Sequence, residues 1–212
     1  MKPLALVFTV LALSIASCKE KTEPAPKPVS DPTFPVIEME TAYGNMYIWL
    51  YDSTPLHKQN FITLTEQKYF DSTTFHRVIP GFMIQGGDPN SKDMDTANDG
   101  TGGPNYTIPA EIKSQILHKR GVLAAARTNN PAKASSGSQF YISVSTSGTQ
   151  HLNGLYTVFG FVMKGMENAD IIVSKPRNKS NDRPFENQYI KTRIIQKTLK
   201  QIKDEYDYIP EF

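Results

Sequence analysis

Phe75-His76-Arg77-Val78-Ile79-Pro80-Gly81-Phe82-Met83-Ile84-Gln85-Gly86-Gly87-Asp88 is the stretch of this chain that says most about its fold. Two short apolar runs, 75–78 and 82–85, flank Ile79-Pro80-Gly81, and proline beside glycine marks a tight reversal. In a strand, residues two apart share a face, so Phe75 falls with Arg77, and His76 with Val78. The reversal returns Phe82, Met83 and Gln85 to the neighbourhood of Arg77. One arginine and one amide then stand beside an apolar surface. Spacing alone leaves two readings open: a functional pocket, or ordinary core with Arg77 as a surface ion-pair partner.

Outward from this hairpin the pattern stays strand-rich. Residues 36–41 and 46–51 flank Tyr43-Gly44-Asn45 and predict a second hairpin. Thr54-Pro55 reads as a helix N-cap followed by proline at the first helical position. Phe61, Leu64 and Lys68 continue at helical spacing, which predicts a helix over 55–67. Residues 86–105 are polar and glycine-rich and predict a loop. Strand patterns return at 122–126, 139–144, 157–162 and 190–195, with a short helix over 165–173. The tail, 197–212, is polar and mixed and takes no assignment. Roughly eight strands with two helices predict a mainly β chain. Its expected form is a closed eight-stranded antiparallel β-barrel capped by two helices, because closure removes exposed edges.

The chain has 212 residues, 39% hydrophobic and 21% charged, enough for one packed domain with an appendage. A formal charge of +2 without a basic cluster excludes a nucleic-acid-binding stripe. The sole cysteine, Cys18, precludes an intrachain disulfide. Met1-Lys2 opens the chain, an apolar run follows over 4–13, and Ser14-Ile15-Ala16-Ser17 precedes Cys18. That layout predicts a signal peptide over 1–17, with an apolar run well short of the ~20 residues a spanning helix needs. Ile15-Ala16-Ser17-Cys18 resembles the bacterial lipobox, which implies a lipid on Cys18 and a chain tethered to a bacterial membrane, facing periplasm or cell surface. Residues 18–35 are charged and proline-rich and predict an extended linker of about 3.1 Å per residue. The folded domain is expected over 36–196.

Four histidines, at 57, 76, 118 and 151, show no metal-ligand spacing, so neither metal nor cofactor is expected. Gly137-Ser138-Gln139 lacks the glycine-x-serine-x-glycine elbow of a serine hydrolase. Gly100-Thr101-Gly102-Gly103-Pro104 is followed by no lysine, unlike a phosphate loop.

Three motifs in order resemble the cyclophilin family. They are the 75–88 stretch, Ala125-Ala126-Arg127 followed by Ser136-Gly137-Ser138-Gln139-Phe140-Tyr141-Ile142, and Leu152-Asn153-Gly154 before Thr157-Val158-Phe159-Gly160. The resemblance runs from about Val36 to Gln196. It implies a barrel of eight strands capped by two helices and a peptidyl-prolyl cis/trans isomerase that acts on proline-containing polypeptides and helps exported proteins fold. Arg77 matches the family's catalytic arginine. Phe82, Met83, Tyr141 and Leu152 match its proline pocket, and Gln85 matches a residue that bonds the substrate backbone and holds the arginine. Ala126, Arg127 and Gln139 match the groove, His76 falls either at the rim or as a structural, hydrogen-bonded histidine, and Tyr156 stands where the family often has histidine. His151 replaces a tryptophan associated with tight cyclosporin binding, which implies weak inhibition by that drug. Tyr141 stands where phenylalanine is common, so a buried hydroxyl there needs a partner. A monomer is expected. The rival reading is a non-catalytic lipoprotein of the envelope that holds proline-containing peptides.

Overall fold

The computed structural model describes residues 31–210. The expected signal peptide, Cys18 and most of the linker lie outside them. The strands in chain order are β1 (Thr33–Thr41), β2 (Gly44–Leu50), β3 (Arg77–Ile79), β4 (Met83–Gly86), β5 (Thr107–Ile108), β6 (Val122–Ala125), β7 (Ser135–Ser136), β8 (Phe140–Ser143), β9 (Val158–Lys164) and β10 (Lys191–Thr198). The α-helices are α1 (Pro55–Glu66), α2 (Met166–Val173) and α3 (Leu199–Tyr206). Eight strands form one antiparallel sheet in the order β10-β1-β2-β9-β6-β8-β4-β3, while β5 and β7 pair separately.

Strand alternation divides the sheet into two faces. Ile84, Leu123, Phe140, Ile142 and Phe159 point into the main core, where α1 contributes Phe61 and Leu64. Phe61 stacks on Phe70 at 4.6 Å, and Phe140 meets Phe61, Phe70 and Phe75 edge-on at 5.5, 5.8 and 6.2 Å. The intervening residues Met83, Val122, Ala124, Tyr141 and Val158 form a second cluster on the opposite face. That second face carries the site.

Four expectations need correction. The sheet is open in its strand ladder: β10 and β3 are its two ends, so the closed barrel is not what strand pairing forms. The segments preceding those strands meet irregularly instead, through a Thr74–Tyr189 bridge and backbone bonds Ile190 N–H to Thr73 (2.7 Å) and Phe75 N–H to Gln188 (2.9 Å). β1 begins at Thr33, three residues into the expected linker, because Thr33, Phe34 and Pro35 pair with Thr198, Lys197 and Gln196. The helices number three among the described residues rather than two: α3 forms in the unassigned tail, opened by a capping box between Thr198 and Gln201. Ile202 and Tyr206 on its inner face pack over Val36 and Trp49, and Tyr206 stacks on Tyr47 at 4.8 Å. Pro55 does open α1, but the Thr54 hydroxyl turns back to the Tyr51 carbonyl. Glu111 supplies the cap instead, its two oxygens accepting the Leu56 and His57 N–H groups at 3.1 and 3.0 Å.

Candidate active site

The register of four strands builds the site. Arg77 in β3 lies opposite Gln85 in β4, Gln85 opposite Tyr141 in β8, and Tyr141 opposite Ala124 in β6. Directly opposed residues share a face at about 4.5–5.5 Å between Cβ atoms, so guanidinium, amide and phenol stand in one row. The hairpin that carries Arg77 reverses at Gly81, whose φ of +73° is a left-handed value that costs glycine nothing. Met83 follows on the same face, two residues before Gln85.

A chain of amides orients the arginine. Arg77 Nη1 donates to Gln85 Oε1 at 3.3 Å, Gln85 Nε2 donates to Gln139 Oε1 at 3.0 Å, and Gln139 Nε2 donates to the Gly100 and Gly102 carbonyls at 3.0 and 2.7 Å. The loop at the end of that chain is built on buried Asp88, whose carboxylate accepts the N–H groups of Asn90 (2.8 Å), Gly102 (3.2 Å) and Gly100. A side chain at Gly102 would collide with Asp88, its Cβ falling 2.2 Å from Oδ1. Among the described residues Arg77 has this amide as its partner and no carboxylate at ion-pair distance. Its charge is left to face the cavity.

That cavity, about 130 Å³, is lined by Arg77, Phe82, Met83, Gln85, Ala126, Arg127, Tyr141, Leu152 and Tyr156. Drug-sized sites run to roughly 300–1,000 Å³, so this one suits a single small ring. Phe82 leans on His151, ring centroids 5.5 Å apart. Tyr141 meets Tyr156 edge-on at 5.9 Å, and the Arg127 guanidinium lies 4.7 Å above the Tyr156 ring. The Ala126 backbone is held on both sides, its N–H by Gln139 and its carbonyl by Ser136, at 2.9 and 2.8 Å.

Nine of the eleven expected site residues therefore converge on one cavity. Gln139 stands behind it, bonded to Gln85. His76 does not reach it. Strand alternation turns His76 away from Arg77, and the residue is 5% exposed, with its ring beside Gly100. Burial pushes its pKa down, against the opposing pull of Asp88 and Asp99, so the ring is held neutral. Two residues escaped sequence reasoning. His118 Nε2 lies 2.9 Å from the Tyr141 hydroxyl, and Asn153 Oδ1 lies 3.0 Å from His118 Nδ1. The signal was the tyrosine itself, whose hydroxyl required a buried partner. Among the described residues no cluster of three or more histidine, cysteine, aspartate or glutamate side chains is placed to hold a metal. No described helix is long and apolar enough to cross a membrane.

An arginine and an amide beside a one-ring cavity on an antiparallel sheet are the features that the cyclophilin resemblance implies. The model of the cyclophilin type peptidyl-prolyl cis-trans isomerase/CLD family matches residues 36–194. A peptidyl-prolyl cis-trans isomerase of Acinetobacter baylyi is 38% identical over 147 residues, 66% of this chain and 73% of its own. Peptidyl-prolyl cis-trans isomerase CYP18-1 of Arabidopsis thaliana is 38% identical over 151 residues, 70% of this chain and 88% of its own. A Cryptosporidium parvum cyclophilin type isomerase, solved in the presence of the dipeptide Ala-Pro, superposes with a TM-score of 0.67. It is 30% identical, over 76% of this chain and 98% of that one. The chain belongs to the cyclophilin-type peptidyl-prolyl cis-trans isomerases. It is an enzyme of that class, one that interconverts the two planar forms of the peptide bond before proline.

Proposed function

We propose that this chain turns over X-Pro bonds in exported polypeptides, with Arg77 as the catalytic residue and the adjoining cavity as the seat of the proline ring. The observation that carries this reading is the row Arg77–Gln85–Tyr141 along the edge of a one-ring cavity. Rotation about a peptide bond meets a barrier of about 18–20 kcal/mol because amide resonance must be broken. No proton transfer or covalent intermediate is required, only tighter binding of the twisted amide than of either planar form. As resonance is lost, the prolyl nitrogen gains a localised lone pair, and the Arg77 guanidinium donates to it while Gln85 holds the guanidinium plane. A donor aimed at charge that develops only in the transition state contributes about 3 kcal/mol, by analogy with oxyanion donors. Arginine suits the task because it stays charged at every working pH.

Phe82, Met83, Tyr141 and Leu152 grip the ring while the acyl side rotates. Ala126, Arg127 and Tyr156 flank the peptide on the far side. The chain acts as a monomer, tethered through lipidated Cys18 to a bacterial membrane by the linker before β1, and assists folding of exported proteins in the envelope. The irregular seam between 72–75 and 188–190 supports a barrel that is closed in function though not in its ladder.

Titrating the isotope-labelled chain with an Ala-Pro peptide tests the seat of the ring. Amide shifts are expected to gather on Phe82, Met83, Gln85, Tyr141 and Leu152; shifts concentrated elsewhere contradict the assignment. Fractionation of cells that produce the chain tests the anchor. Cys18→Ser is expected to move it from the membrane to the soluble fraction, and an unchanged distribution rejects the lipid.

A further inference from the structure

Tyr141 brings a hydroxyl into a nearly dry wall: the residue is 5% exposed. A buried hydroxyl without a partner keeps the whole cost of leaving water. Here the partner is His118 Nε2, at 2.9 Å, on a residue only 1% exposed. The direction of this bond follows from the other side of the imidazole. Asn153 Oδ1 accepts the His118 backbone N–H at 2.8 Å, which fixes the amide with its oxygen toward the histidine. That same oxygen lies 3.0 Å from Nδ1. An amide oxygen only accepts, so Nδ1 carries the proton, Nε2 offers its lone pair, and the Tyr141 hydroxyl donates.

The ring so held is fixed from two sides. His118 and Tyr141 lie nearly parallel, 12° apart at 6.1 Å, while Tyr156 meets Tyr141 edge-on at 84°. What remains bare of Tyr141 faces the cavity.

We propose that His118 is a positioning residue for the isomerase: pinned by Asn153 as its Nδ1–H tautomer, it takes the Tyr141 hydroxyl bond and fixes the ring on which the substrate proline packs. This rests on the reading of Tyr141 as a wall of the proline pocket. A wall that grips the ring does so in the planar and the twisted states alike, so its loosening raises KM and leaves kcat nearly unchanged.

The test is a double-substitution cycle in the full chain, read by isomerisation of an Ala-Pro tetrapeptide, with folding checked by circular dichroism. His118→Leu is expected to raise KM about tenfold, equivalent to about 1.4 kcal/mol, with kcat within about threefold. In a Tyr141→Phe background the same substitution is expected to change KM less than about twofold, because no hydroxyl is left to satisfy. His118→Gln, whose amide oxygen can accept the hydroxyl, is expected to recover KM to within about threefold of the parent. If His118→Leu does not fold, His118→Gln and His118→Ala in the two backgrounds complete the same cycle. An equal rise in KM in both backgrounds, or none beside Tyr141, overturns the positioning role while the pocket stands. An unsubstituted chain that accelerates nothing overturns the pocket reading and this one with it.

Discussion

His57 and His118 are bonded in the same pattern in two different parts of the molecule. In each, an oxygen lies on Nδ1 and also takes the histidine's own backbone N–H: Glu111 at 2.6 and 3.0 Å for His57, Asn153 at 3.0 and 2.8 Å for His118. In each, a hydroxyl lies on Nε2: Ser135 at 3.0 Å and Tyr141 at 2.9 Å. The His57 set has the residue types and distances of a hydrolytic serine relay, and it is not one. Ser135 is 1% exposed and does not line the space beside His57, which amounts to only about 10 Å³. The His118 set is the less suggestive on paper, yet its hydroxyl belongs to a ring on the wall of the 130 Å³ cavity. Relay geometry is therefore not evidence of a site; access to it is. The first set ties the α1 N-terminus to β7, and the second backs the wall of the cavity.

Three experiments can break or sharpen that contrast. The largest effect is expected at His57. His57→Leu strips a partner from Glu111 and leaves Ser135 unpaired in the interior, costing about 3 kcal/mol of stability. Isomerase activity of the folded fraction should stay within about threefold. Urea unfolding and an activity assay on one preparation check both, and a large loss of activity without a loss of stability reverses the contrast.

Acid sensitivity comes next. Burial lowers the pKa of His57, His76 and His118, outweighing Glu111, Asp88 and Asn153 respectively. Unfolding restores each to about 6.5, so below that value the unfolded chain binds protons the folded chain refuses. Stability is whole above about pH 6.5 and is lost as pH falls, by up to about 1.4 kcal/mol per pH unit for each histidine. Melting temperatures between pH 8 and pH 5 should show the fall, and His76→Phe should shallow it by one proton. A flat profile contradicts the buried neutral rings.

The smallest effect is expected from Asn153→Asp. A carboxylate on Nδ1 raises the His118 pKa, and the imidazolium then donates from both nitrogens, so the Tyr141 hydroxyl must accept rather than donate. A pH–rate profile between 5 and 8 should be nearly flat for the parent and should bend by about threefold in the variant. Two parallel profiles reject the tautomer assignment.

What could be read from the chain depended on how locally it was encoded. Arg77, Phe82, Met83 and Gln85 share one hairpin, so period-two alternation and a Pro-Gly reversal fixed their relative places. Tyr141 and Gln139 were reachable through the family motif that contains them. His118 was not, because its bond to Tyr141 spans 23 residues and a loop whose path no local pattern sets. Glu111 as the cap of α1 is harder still, 55 residues from Leu56 and hidden behind a plausible Thr54-Pro55 signal. The third helix was legible and passed over: Thr198 and Gln201 spell a capping box, and Leu199, Ile202 and Tyr206 recur at helical spacing. Of the two places open to His76, the structure takes the interior one and not the rim. His76 adjoins Arg77 in sequence, but adjacent residues in an extended chain face opposite ways.

The account stands most directly on Arg77. Exchange NMR on an Ala-Pro peptide should compare the full chain with its Arg77→Ala variant at equal concentration, both confirmed as folded. The account predicts strong acceleration by the parent, a loss of about 100-fold or more in kcat/KM in the variant, and peptide affinity within about threefold. Equal acceleration by both proteins would contradict it, because proline bonds would then turn without the proposed donor.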